Sequence, residues 1–125
     1  MAIYLVGSSI LVVDDDLDIR ELLTELLRER GFAVESAANG QEALDRLEAG
    51  GAKPNLILLD LMMPVMSGWE LAQILRRDPE YSGIPVVVFS ADRDALRDTE
   101  ALGVRECLQK PVELSTFLEI ARRYC

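Results

Sequence analysis

Histidine is absent from this chain. That removes the commonest general base, a common metal ligand and any phosphohistidine of the chain's own. Only two cysteines occur, Cys107 and Cys125, with neither metal spacing nor a disulfide framework, as expected of a reducing compartment. Cations are outnumbered: 13 Lys plus Arg stand against 22 Asp plus Glu, a net charge of −9. Such a balance argues against direct binding to nucleic acid or an anionic membrane surface. No apolar run reaches the ~18 residues of a membrane span. The opening "MAIYLVGSSILVV" carries no Lys or Arg ahead of its apolar part and runs into aspartates, not into a small-residue cleavage site, so it does not read as a signal peptide. These absences predict a soluble cytoplasmic protein whose chemistry rests on carboxylates, hydroxyls, lysine or a borrowed group.

What is present is a core and a rhythm. Half of the 125 residues are hydrophobic, enough for one domain spanning 1–125. Continuous apolar runs occur at 10–13 "ILVV", 55–59 "NLILL" and 84–89 "IPVVVF", with weaker ones at 32–37 and 106–109. Strands buried on both faces read this way, as in parallel sheets. Helical spacing fills the intervals. Ile19, Leu22, Leu23, Leu26 and Leu27 make one stripe that stops at Gly31, and further helices are predicted over 40–51, 68–79, 94–103 and 113–124. In 68–79, Leu71, Ile74 and Leu75 share one face, and Pro79 breaks the helix. The order (βα)5 with short connections predicts right-handed crossovers. The fold class is therefore α/β, a flavodoxin-like doubly wound five-stranded parallel sheet of order 2-1-3-4-5.

In such sheets ligands bind beyond the carboxyl ends of the strands, at the switch point between strands 1 and 3. Strand 1 runs into Asp14, Asp15 and Asp16; strand 3 is followed by Asp60, strand 4 by Ser90 and strand 5 by Lys110. Strand 2 ends in "AANG", which offers little chemistry. Three adjacent carboxylates repel one another, and one helix cap uses only one of them, Asp16 or Asp18. The surplus calls for a cation. Carboxylates without His or Cys suit a hard divalent ion, Mg²⁺ foremost and Mn²⁺ as its substitute. With Lys110 as a fixed cation and Ser90 as a hydroxyl donor, the set suits phosphoryl transfer to a carboxylate.

These residues, in this order, resemble the receiver domain of two-component response regulators. The resemblance runs from about residue 9 to 124 and rests on "ILVVDDD…R", "LILLDLMMPVMSGWEL", "VVVFSA" and "LQKPVE". It implies that Asp60 is the phosphoacceptor and that Asp14, Asp15, Asp60 and the Met62 backbone carbonyl hold the metal. Ser90 would bond a phosphoryl oxygen, and Lys110, before a cis peptide to Pro111, would pair with the phosphoryl group. The implied partners are a sensor histidine kinase or a histidine phosphotransfer protein, with a face of helix 4, strand 5 and helix 5 available for docking or homodimer pairing. The implied role is that of a signalling phospho-acceptor in a phosphorelay, not of a turnover enzyme.

One position departs from the family pattern. Three residues before Lys110 the family usually has Tyr or Phe, and here stands Cys107, expected to be a small buried hydrophobe. Met62, Met63 and Met66 are expected to be loop packing. Three rival functions make different demands on the residues. An aspartate-nucleophile phosphatase of the haloacid dehalogenase type needs an acid two residues after its nucleophile, where Met62 stands. A flavodoxin-like nucleotide binder needs a phosphate-cradling loop after strand 1, where aspartates would repel phosphate. A receiver-like interaction scaffold working without phosphorylation is opposed by the complete acidic set and left open by Cys107.

Overall fold

The computed structural model describes residues 8–97 and 99–125; the start of the apolar opening, residues 1–7, lies outside them. Among the described residues five strands alternate with five helices: β1 (Ser9–Val13), α1 (Leu17–Glu29), β2 (Ala33–Ala37), α2 (Gly40–Glu48), β3 (Leu56–Asp60), α3 (Gly68–Arg77), β4 (Val86–Ser90), α4 (Arg93–Arg97), β5 (Glu106–Gln109) and α5 (Leu114–Tyr124). The strands are all parallel in the order β2-β1-β3-β4-β5. The predicted fold class is thus the observed one. No helix among the described residues is long and apolar enough to cross a membrane.

The strand period of two sorts the core into two layers. Leu11, Val13, Ile57, Leu59 and Val88 face α2 and α3, packing on Leu44, Leu71 and Leu75. Ile10, Val12, Leu56, Leu58, Val87 and Phe89 face α1 and α5, packing on Leu23, Leu27, Phe117 and Ile120. Phe89 and Phe117 meet edge to face at 5.5 Å. The central strands β3 and β4 are buried along their whole length, which fixes their carboxyl ends in place.

The departures from expectation lie on the periphery. The stripe of α1 is narrower than predicted: Leu23 and Leu27 are buried, but Leu22 is exposed. Ile74 likewise turns outward, and Ala72 takes the inward place beside Leu71 and Leu75. The helix predicted over 94–103 is a single short helix, α4, followed by a 3₁₀ turn at Thr99–Leu102; its position 98 lies outside the described residues. The break has a local cause. The Thr99 hydroxyl donates to the Leu96 carbonyl at 2.7 Å, a side-chain bond that competes with helical pairing. Cys107 is exposed, not buried, because β5 is an edge strand and a five-residue α4 covers little of it.

Candidate functional site

The site grows from strand ends. Asp14 leaves β1 with its N–H bonded to the Ala37 carbonyl at 3.1 Å and is fully buried. Its Oδ1 accepts the Asp16 N–H at 2.9 Å, and its backbone carbonyl accepts from Arg20 Nη1 at 2.8 Å. Asp16 in turn caps α1, accepting the N–H groups of Asp18 and Ile19. The cap predicted for Asp16 or Asp18 is therefore Asp16, and Asp15 is left exposed beside it.

Asp60 is the last residue of β3 and almost fully buried. Its Oδ1 accepts the Met62 N–H at 3.3 Å. Lys110, just past β5, reaches back with Nζ 3.3 Å from Asp14 Oδ2 and 3.6 Å from Asp60 Oδ2, its cation 5.1 Å above the Phe89 ring. The Lys110–Pro111 peptide is cis. Ser90 ends β4, one register step past Phe89, the partner of Asp60; it is buried, and its Oγ accepts the Asp92 N–H at 3.1 Å. Carboxylate oxygens of Asp14, Asp15 and Asp60 all lie within 4.8 Å of one another.

One lysine does not balance this charge. Burial raises the carboxyl of Asp14. That of Asp60 is pushed up to about 7, by burial first and then by the Asp14 charge, against the pull of Lys110 and the Met62 N–H. Both carboxylates are thus held in surroundings that disfavour their own ionised form, a property that clusters at functional sites.

Sequence reasoning underrated the end of β2. Asn39 caps α2 by accepting the Glu42 N–H at 2.9 Å, and the Gly40 N–H donates to the Met66 carbonyl at 3.1 Å. A Cβ on Gly40 would meet Met66 at 2.7 Å, so "AANG" buttresses the loop behind Asp60. The signal was the Asn-Gly pair itself, a helix start in which no side chain fits. Gly68 is held as closely: its N–H bonds Leu61, and a Cβ there would collide with the Asp60 carbonyl and lie 2.7 Å from Leu61 Cα. Among the methionines, Met63 and Met66 pack against the core as expected, whereas the Met62 side chain is exposed.

The architecture and the site define a class, a doubly wound α/β domain with an acidic, lysine-bearing pocket at its switch point. Comparison with known proteins makes it specific: the response regulator receiver domain family matches residues 10–122, and the chain belongs to that family. It is 42% identical over 107 residues to the transcriptional regulatory protein CpxR homolog of Haemophilus influenzae, covering 83% of this chain and 44% of that protein. The chain thus spans less than half the length of this curated relative. Among solved structures, the chemotaxis response regulator CheY4 of Vibrio cholerae superposes with a TM-score of 0.84 at 30% identity, covering 94% of this chain and 98% of that one. The response regulator TrrA of Thermotoga maritima, solved in complex with Mg²⁺ and BeF, gives 0.82 at 31% identity, covering 94% and 99%.

Proposed function

We propose that Asp60 accepts a phosphoryl group from a phosphohistidine of a partner kinase or phosphotransfer protein, and that the chain works as a single receiver unit, 1–125 with its core over about 9–124. The observation that carries this reading is the Asp14, Asp15 and Asp60 cluster with Lys110 bonded between its two buried members. An Asp60 carboxylate oxygen attacks phosphorus, the donor nitrogen leaves, and an acyl phosphate results. Lys110 faces the charge that spreads over the phosphoryl oxygens. Ser90, on the adjoining strand, supplies a hydroxyl to one of them. With no histidine in the chain, the phosphoryl group comes from outside.

The donor set fits a hard divalent ion: all candidate ligands are oxygens, and their charge exceeds what Lys110 balances. Asp14, Asp15, Asp60 and the Met62 carbonyl would hold Mg²⁺, or Mn²⁺ in its place, which when bound neutralises the oxygens of the transferring group. The position two residues after Asp60 bears an exposed thioether, no acid to assist hydrolysis, so the acyl phosphate suits a signal better than turnover.

Intact mass after incubation with acetyl phosphate and Mg²⁺ tests the reading. One phosphate should be added, removable by hydroxylamine, and none without the metal. Stable labelling at serine or threonine would contradict it.

A further inference from the structure

The stretch "ILVVDDD…R" ends in Arg20, which takes no part in the phosphoryl chemistry described above. Arg20 stands in the first turn of α1, half-buried, and its N–H donates to the Asp16 carbonyl at 3.0 Å. Three aspartates lie just ahead of it in the chain, yet among the described residues its guanidinium pairs with no carboxylate. Nη1 donates instead to the neutral backbone carbonyl of Asp14 at 2.8 Å.

That carbonyl governs Asp15. The Asp14 C=O and the Asp15 N–H belong to one planar peptide group, so a bond to the oxygen fixes the plane from which Asp15 departs. The next plane, between Asp15 and Asp16, is held at the Asp16 N–H by Asp14 Oδ1 at 2.9 Å. With both flanking planes held, the two backbone dihedrals of Asp15 are set, and with them the direction of its side chain. Asp14 and Asp60 are packed into place by burial. Asp15 is exposed and owes its direction to the backbone that carries it.

We infer that Arg20 is the positioning residue for Asp15: by clamping the Asp14 carbonyl it aims the exposed carboxylate at the two buried ones, and so sets the affinity of the cluster for a divalent ion. The inference rests on the metal site proposed above. The charge of the guanidinium alone would act in the opposite sense, since a fixed cation near the site repels a second one. Removing Arg20 therefore separates the two roles by sign.

Binding of Mn²⁺ to the full chain, followed by the electron paramagnetic resonance of the free ion, tests this. Arg20→Met, which keeps much of the length but cannot donate, should bind roughly tenfold more weakly than the parent, as is usual when the outer partner of a metal ligand is lost. Arg20→Lys, which can still donate to the carbonyl, should recover most of that loss. In an Asp15→Asn background the oriented carboxylate is gone, and Arg20→Met should change affinity by less than about twofold. Urea unfolding of the same proteins reports the fold, with the shorter Arg20→Gln carried beside Arg20→Met. Unchanged or tighter binding by folded Arg20→Met would overturn the inference, as would an equal loss in both backgrounds or one that Arg20→Lys does not recover. Failure of both Arg20→Met and Arg20→Gln to fold would make the bond a strut of the fold and overturn it too. A parent chain that binds no Mn²⁺ would overturn the proposed metal site, and the role of Arg20 with it.

Discussion

The carboxyl ends of β1 and β3 and the face formed by α4 and β5 belong to one sheet and are held by different means. At the first, Asp14, Asp60 and Ser90 are buried, each is hydrogen-bonded, and glycine at 40 and 68 lets the backbone close in behind them. At the second, α4 buries no residue and Cys107 is exposed on an edge strand. Close packing fixes a geometry that chemistry needs within fractions of an ångström. Light packing leaves an element free to move at small cost. On the function proposed above, the first region is where bonds are made, and the second is the one its packing leaves freer to shift.

The sharpest way to break that division is at Lys110. Lys110→Met keeps the apolar stem and removes the cation that Asp14 and Asp60 share. The phosphorylation rate should fall about a hundredfold, the usual scale for removing one preorganised electrostatic partner. Initial rates by mass spectrometry check this, and an unchanged rate would place the chemistry elsewhere. Next in size is Gly68→Ala, which drives a Cβ into the Asp60 carbonyl. A loss of roughly 1–3 kcal/mol is expected from overpacking against backbone, read by urea unfolding.

Titration separates the regions further. Asp60 stands at about 7 in the folded, metal-free protein, above its ordinary value, so the folded state binds the extra proton between the two. The stability this group contributes is complete below the ordinary carboxylate range and is lost as pH rises through about 7. A divalent ion held by these oxygens, as proposed above, would select the ionised carboxylates and offset the loss. The gain in melting temperature on adding Mg²⁺ should therefore be larger at alkaline than at mildly acidic pH. Asp15→Asn should remove most of it. Equal gains at both pH values would detach the metal from Asp60. The smallest effect is expected at Ala95→Gly in α4: at most about 1 kcal/mol, the helix-propensity difference, with faster amide exchange confined to residues 93–97. A global loss as large as that of Gly68→Ala would erase the contrast drawn above.

How much could be read from the sequence follows the same line. β1, β3 and β4 are legible because continuous apolar runs can only be buried strands here, and the polar residues terminating them had to meet at the switch point. Asp14, Asp15, Asp60 and Lys110 are indeed brought together, and Asp16 is the cap. What was misread depends on neighbours and not on local pattern. Leu22 and Ile74 fit a helical stripe but fall outside the width that the sheet covers. The 94–103 stretch has helical spacing, yet the bond of Thr99 to Leu96 stops it early. Cys107 is a small hydrophobe by residue type, but its burial needs an element above the edge strand, and α4 covers little there. The role of Asn39 and Gly40 was hidden because it concerns a loop far along the chain, around Met66.

Three carboxylates stand within reach of one another, and the central claim is that Asp60 alone takes the phosphoryl group. Borohydride converts an aspartyl phosphate to homoserine, so peptide mass mapping of the phosphorylated, reduced protein names the acceptor. Conversion at Asp60 only, and none in Asp60→Asn, is the predicted result. Homoserine at Asp14 or Asp15, or an Asp60→Asn protein labelled as fully as the parent, would contradict the account.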